Sequence, residues 1–143
     1  MAARGQDERP GGGRPDLGLL IPALLALFRA PLLDRWWGRA PIGLYAGWLS
    51  AASFVALGLC LAGWGLMQDV PAAILCLLLA VALASAVQVA LEGVPEYGLA
   101  VVWALVGVAV NNLGGALLVS ILALAGAGIV GLLAVRAMTI PRA

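Results

Sequence analysis

The feature that most constrains this chain is a run of 39 residues, from Tyr97 to Val135, that contains no charged side chain. As a single α-helix this run would be about 58 Å long, nearly twice the roughly 30 Å thickness of a bilayer core. It must therefore break, and the polar segment 111–115 (Asn-Asn-Leu-Gly-Gly) is the turn signal within it. The run predicts two membrane spans, at residues 97–111 and 115–135.

Charged residues divide the preceding chain into three further apolar segments. Residues 17–33 are long enough to span only if the helix absorbs Arg29 near its end, because the uncharged run before Arg29 has 12 residues, about 18 Å. The following uncharged runs predict spans at residues 41–62 and 70–91. The predicted fold class is therefore all-α, a polytopic transmembrane helical bundle of about five spans with a marginal first span.

The composition excludes most soluble functions. The chain is 64% hydrophobic and 10% charged, whereas soluble domains are about 45–50% apolar and about 25% charged. It has a net charge of +1 and neither Lys nor His, so we expect no nucleic-acid partner and no histidine-based catalysis or metal site. Residues 1–16 are a polar, Gly- and Pro-containing tail, which we expect to be flexible and not to be a signal peptide. Cys60 and Cys76 lie in apolar runs and indicate neither a disulfide framework nor a metal site.

The polar side chains within the spans are typical of hydrogen bonding within a helical bundle rather than of catalysis or ion transport. All seven acids lie in the tail or at span ends, so no intramembrane carboxylate marks a proton relay or an ion path. Hydrogen bonds to backbone or to a neighbouring helix explain the other polar residues, namely Ser50, Ser53, Ser85, Gln88, Asn111, Asn112 and Ser120. No base is present to activate a serine. We predict no enzyme, no metal site and no required cofactor.

Aromatic side chains are the strongest candidates for a binding site. Those near predicted span ends are typical of an interfacial belt, and they are Trp36, Trp37, Trp64 and Tyr97. Tyr45 and Trp48 lie one and two turns inside the second span and share a helix face. Trp103 lies about two turns inside the fourth span, where a buried indole needs a partner or lines a cavity. Aromatic walls with few polar groups suit a flat apolar ligand, and aromatics that only pack would give the same pattern.

Small residues recur at four-residue spacing in three places, Gly43/Gly47, Ala82/Ala86/Ala90 and Ala123/Ala127/Gly131. Such faces let helix backbones approach closely in lipid. They predict either a compact bundle within one chain or a homodimer through Gly43/Gly47 or through Ala123/Ala127/Gly131.

Arginine placement predicts the orientation in the membrane. The arginines outside the tail follow the first span or close the chain, and they are Arg29, Arg35, Arg39, Arg136 and Arg142. Five alternating spans place both groups on one side, which the positive-inside rule makes cytoplasmic. The C-terminus is then cytoplasmic and the N-terminus lies outside.

The segment 39–53 (RAPIGLYAGWLSAAS) resembles a signature of the TspO/MBR family, the tryptophan-rich sensory proteins related to the translocator protein. The last core helix of that family carries a Pro-Tyr-x-x-Trp-x-x-x-Ala-x-x-x-Asn pattern. Its Tyr, Trp and Ala positions are occupied here by Tyr45, Trp48 and Ala52. Two positions depart from the pattern, because Leu44 replaces the Pro and Ala56 replaces the Asn.

A second segment, 96–110 (EYGLAVVWALVGVAV), is similar to part of the longer bacterial tryptophan-rich proteins, and the resemblance runs from about residue 25 to residue 135. It implies an integral membrane protein of the bacterial inner membrane that binds a tetrapyrrole such as protoporphyrin, or another flat apolar ligand, in sensing or transport. Tyr45 and Trp48 would line the ligand cavity, and depth alone adds Trp103 to them.

Full-length relatives have several helices before the matching segment. We therefore expect a truncated relative, a misplaced start codon or a reduced role. The alternative function is a small membrane scaffold or accessory subunit with no ligand of its own, held together by the small-residue helix faces.

Overall fold

The computed structural model describes residues 17–29, 35–91 and 93–139, and every regular element within these ranges is helical. The helices are α1 (Leu17–Arg29), α2 (Ala40–Gly63), α3 (Asp69–Ala90), α4 (Pro95–Asn112) and α5 (Leu117–Thr139), and a π-helical turn at Arg35–Arg39 leads into α2. The predicted all-α helical bundle is confirmed. The tail 1–16 and residues 30–33 of the first predicted span lie outside the described residues.

Local sequence explains where the helices begin and end. Pro41 and Pro95 lie in the first turns of α2 and α4, where the missing N–H of proline costs no hydrogen bond. Gly65 adopts a φ of +67° in the turn that follows α2, a conformation that glycine reaches without strain. The chain also turns after α4, where the N–H groups of Gly115 and Ala116 donate to the Asn112 carbonyl.

Three helical segments are long and apolar enough to cross a membrane, namely Trp37–Gly63 with 27 residues, Asp69–Ala90 with 22 and Leu117–Thr139 with 23. Together they make the chain an integral membrane protein. The described part of α1 has 13 residues and is only about 20 Å long. Helix α4 has 18 residues, but it begins with Pro-Glu and ends with Asn-Asn, so its termini are polar.

Helices α2, α3, α5 and α4 pack in a ring in that order, and α1 packs against α2. Helices α2 and α4 run parallel, because Gly43 lies against Val94 and Gly47 lies against Ala100. Gly98 of α4 meets Gln88 of α3 and Ala134 of α5, and Gly43 also meets Leu27 of α1. The N-termini of α2 and α4 therefore share one end of the bundle with the C-termini of α1, α3 and α5. We call this the charged end, and its described charged residues are Arg29, Arg35, Arg39, Glu96 and Arg136.

Two of the three predicted small-residue faces are used within the chain. A side-chain carbon at Gly43 would lie 2.9 Å from the Val94 side chain, and one at Gly131 would lie 3.6 Å from the Val102 side chain. Ala123 and Ala127 are buried in the core. Both faces contact other helices of the same chain. A homodimer through Gly43/Gly47 or Ala123/Ala127/Gly131 stays a prediction. The third face, Ala82/Ala86/Ala90, lies exposed on α3.

Candidate functional site

The three aromatic residues predicted to bind a ligand lie along one groove between α2 and α4. Tyr45 and Trp48 come from α2 and Trp103 comes from α4. The remaining lining residues are Pro41, Leu44, Leu99 and Ala100. The groove has a volume of about 560 Å³, within the range of about 300–1,000 Å³ that is usual for small-molecule sites.

Glycines on the adjoining face of α2 explain why the groove forms there. A side-chain carbon at Gly47 would collide with the Tyr97 carbonyl oxygen and would lie 2.9 Å from the Ala100 side chain. The two backbones therefore approach closely along a contact that we call the inner seam, formed by Gly43, Gly47, Ser50, Tyr97 and Ala100. The large aromatics beside this seam have no room between the helices and line its outer edge.

The groove is an open surface feature of the bundle. The exposed fraction is 54% for Tyr45 and for Trp48, and 73% for Trp103. The expectation that Trp103 is buried because it lies deep within its span is wrong, since depth along a helix does not decide which side faces the bundle. In a membrane these faces meet lipid tails, and a ligand would enter the groove from the bilayer.

A second, open hollow lies on the exposed face of α4 beyond Trp103, and all of its lining residues belong to α4. Its lining consists of Trp103, Val106, Gly107, Val110 and Asn111, and its volume is about 430 Å³. A side-chain carbon at Gly107 would meet no atom within 4 Å, so the missing side chain leaves open space. Trp103 lines both hollows.

Tyr97 also lies elsewhere than its position near a span end predicts. It was expected in the interfacial belt, yet its side chain is 0% exposed, and its hydroxyl lies 3.0 Å from the Ser50 hydroxyl. Ser50 donates its only hydroxyl proton to the Ala46 carbonyl at 2.8 Å, so Tyr97 is the donor in the pair. The sequence feature that could have indicated this position is the face of α2 formed by Gly43, Gly47 and Ser50. The two glycines leave space for an aromatic ring, and the Ser50 hydroxyl can hydrogen-bond to the hydroxyl of a tyrosine.

Gln88, Asn112 and Ser120 hydrogen-bond to backbone carbonyls, as expected for polar side chains within the spans. Ser120 of α5 donates to the Ala109 carbonyl of α4 at 2.8 Å, and the Gln88 amide donates to the Val94 carbonyl at 3.2 Å. Two buried oxygens have no partner among the described residues, Gln88 Oε1 and Ser53 Oγ. The interior is thus cross-linked by a few hydrogen bonds and is otherwise held by close packing.

The groove is chemically simple. Its lining contains no charged side chain, and its polar side-chain groups are the Tyr45 hydroxyl and the indole N–H groups of Trp48 and Trp103. Within the described ranges, no group of three or more His, Cys, Asp or Glu could hold a metal ion, and Cys60 and Cys76 are free thiols. Such a lining can bind by stacking and apolar contact, with an occasional hydrogen bond at its rim.

The chain matches a known protein family over most of its length. The family model described as TSPO-like protein matches residues 17–136. The match includes both helices that form the groove. No curated protein and no solved structure matches the chain.

Proposed function

Because the chain belongs to the TSPO-like protein family, we propose that this membrane protein binds a flat, largely apolar ligand in the groove between α2 and α4. The proposed ligand is a tetrapyrrole such as protoporphyrin, bound in a sensing or transport role. The observation that carries the proposal is the convergence of Tyr45, Trp48 and Trp103, from two helices separated by the whole of α3, on one groove. The proposal includes no catalytic step.

Stacking is the interaction that this groove can offer. Lipid tails are as apolar as the ligand, so leaving the bilayer for the groove yields little hydrophobic free energy. Offset stacking of aromatic rings adds about 0.5–1.5 kcal/mol per pair. Three aromatic side chains on one groove therefore favour a planar conjugated ligand over a flexible hydrocarbon of similar size.

The charged end supports a membrane orientation. Four arginines of the described residues lie at this end, Arg29, Arg35, Arg39 and Arg136, and Glu96 is the acidic residue described there. The described charge at this end is therefore net positive. We infer from the positive-inside rule that this end faces the cytoplasm, with the C-terminus inside and the N-terminus outside. The Pro41 end of the groove would then lie near the cytoplasmic surface of a bacterial inner membrane.

Porphyrin titration of the full chain in lipid nanodiscs tests the proposed site. We expect the porphyrin absorbance band to shift with saturable binding, and we expect Trp48→Ala and Trp103→Ala each to weaken binding about tenfold, the loss of about one stacked pair. Absorbance is the appropriate signal because it does not depend on the number of tryptophans.

Trp64→Ala is the matched control, since Trp64 is 75% exposed in the turn after α2 and does not line the groove. It should leave the affinity unchanged. Absence of binding by folded wild-type protein would reject the proposed function. An equal loss in all three variants would reject the groove as the site.

One observation favours the alternative function of a scaffold or accessory subunit. Ala82, Ala86 and Ala90 form a small-residue stripe on the exposed side of α3, which could receive a helix of another protein. Under this alternative, Ala86→Leu would remove a partner that co-purifies from the native membrane and would leave porphyrin binding unchanged. Retention of every partner by this variant would count against the scaffold.

A further inference from the structure

Three of the four arginines described at the charged end come from one short stretch of the chain. They are Arg29, Arg35 and Arg39, and we call them the arginine cluster. Arg29 ends α1, and the other two begin and end the π-helical turn. The acid within this stretch is Asp34, which lies outside the described residues. The stretch contains no lysine, and the planar arginine side chain matches a phosphate with two parallel hydrogen bonds.

Packing of α1 against α2 brings the two ends of the cluster to one level. The Leu27 side chain lies 3.7 Å from the position of a side-chain carbon at Gly43. Arg29 follows Leu27 by two residues, about 3 Å along α1, and Arg39 precedes Gly43 by four residues, about 6 Å along α2. Both steps lead toward the charged end, so Arg29 and Arg39 lie at nearly the same height in the membrane.

Arg39 has a hydrogen-bond donor that the described residues leave unused. Its Nε atom is buried and has no hydrogen-bond partner among them. Gly43 lies one turn later on the same face of α2, and that face packs against Leu27 of α1 and Val94. A buried charged donor without an acceptor is costly. An anionic oxygen at this position would supply the missing acceptor.

The surroundings place the cluster at the level of the lipid headgroups. Trp37, within the π-helical turn, is 92% exposed, and tryptophan is enriched where a membrane meets water. Ile21 and Leu25 are exposed and precede Arg29 at four-residue spacing, so an apolar stripe of α1 leads from the bilayer to this arginine. A molecule with an anionic head and hydrocarbon chains matches both the charge and the stripe.

We propose that the arginine cluster binds the phosphate of an anionic phospholipid, such as phosphatidylglycerol, whose acyl chain follows the exposed face of α1. The proposal rests on charge complementarity, because basic pockets between membrane helices on the cytoplasmic side bind anionic headgroups. The site lies where α1 meets α2 and uses no residue of the groove between α2 and α4. It is therefore independent of the proposed ring binding.

Native mass spectrometry of the full chain, released from detergent micelles, tests the site by counting bound lipids. Phosphatidylglycerol and phosphatidylcholine with identical acyl chains differ in headgroup charge, and we expect one phosphatidylglycerol to bind about tenfold more tightly. Arg29→Gln and Arg39→Gln should each weaken its binding about fivefold, the effect of one arginine near an anionic surface. Phosphatidylcholine binding should not change. Because Arg29 is exposed, Arg29→Gln tests the cluster without disturbing buried packing.

Arg136→Gln is the matched control. Arg136 is also an exposed arginine at the charged end, but it belongs to α5, whereas α1 packs against α2. The variant loses the same charge and should keep the wild-type affinity for phosphatidylglycerol. Glycerol phosphate, the soluble form of the same headgroup chemistry, separates a lipid from a free phosphate. In excess it should leave the phospholipid bound.

Three outcomes would overturn the proposal. Equal affinity of wild-type protein for the two lipids would show that the cluster does not recognise an anionic headgroup. An equal loss in Arg136→Gln and in the two cluster variants would assign the binding to overall charge rather than to this site. Displacement of the lipid by glycerol phosphate at a similar concentration would show that a soluble phosphate is the occupant.

Discussion

Helices α2 and α4 lie side by side along two adjoining regions, the inner seam and the groove, which differ in almost every respect. At the inner seam, Gly43 and Gly47 bring the backbones together, and Tyr97 is fully buried against Ser50. Along the groove beside it, Tyr45, Trp48 and Trp103 are half or more exposed. The seam uses small residues around one hydrogen-bonded ring, and the groove uses large aromatics that lie open.

The difference separates the residues that stabilise this bundle from the residues whose side chains are available to a ligand. In lipid, helix association depends on close packing and interhelical hydrogen bonds, because apolar side chains gain little by leaving lipid tails for protein. The seam supplies both. The aromatics of the groove add little to association, so their positions are free to serve a ligand. The comparison predicts that substitutions at the seam cost stability and that substitutions in the groove do not.

The largest effect is expected at the seam. Gly47→Leu places a side chain where the Tyr97 carbonyl and the Ala100 side chain lie, and overpacking of this kind costs about 3 kcal/mol. The free energy of unfolding, measured by denaturant titration in mixed micelles, should fall by this amount. Gly63→Leu on the same helix is the control, because a side chain at Gly63 would meet nothing within 4 Å. Equal losses in the two variants would refute the seam.

A smaller effect separates two buried serines of α2. Ser50→Ala leaves the Tyr97 hydroxyl without the acceptor that lies 3.0 Å away, and an orphaned buried donor costs about 1–3 kcal/mol. Ser53→Ala removes a buried hydroxyl that has no partner among the described residues, so the unfolding free energy should stay equal or rise. The same micelle titration compares the two variants. A larger loss of unfolding free energy for Ser53→Ala than for Ser50→Ala would contradict the stabilising role of the hydrogen bond at the seam.

The smallest effect on stability is expected in the groove. Trp103 is 73% exposed, and surface substitutions usually change stability by no more than about 0.5 kcal/mol. Trp103→Ala should therefore leave the unfolding free energy almost unchanged while it weakens porphyrin binding. A loss of about 3 kcal/mol or more, typical of a buried Trp→Ala change, would show that the indole packs against the bundle.

Much of the fold could be predicted because it depends on quantities that are local in the chain. The length of each uncharged run, set against the thickness of a bilayer, predicted helices in the regions where α1 to α5 lie. Pro41 lies in the first turn of the helix predicted at 41–62, and the chain turns just after Asn112, inside the 111–115 segment expected to break the long run. Helix α4 begins at Pro95, two residues before the predicted span. These features need only the chemistry of neighbouring residues.

The candidate site was predicted only in part, because the type of a residue and its depth along a helix do not show which side of the helix faces the bundle. Tyr45 and Trp48 could be assigned to one face from their spacing, whereas Trp103 of α4 was grouped with them from its depth alone, without any indication that α4 packs beside α2. The same lack of direction put Tyr97 in the interfacial belt and Trp103 in the interior, the reverse of their positions in the structure.

The sequence by itself determined that this chain is a helical membrane protein and where its helices begin and end, because the cost of charge and unsatisfied backbone in a bilayer depends on local composition. Only the tertiary structure decided which side of each helix faces inward. In α2, α3 and α5, apolar residues are spread around every side, so no contrast between water and core selects a face. Steric fit selects the inward face instead, and this fit depends on which glycines of one helix contact the backbone of another, as Gly47 of α2 contacts Tyr97 of α4.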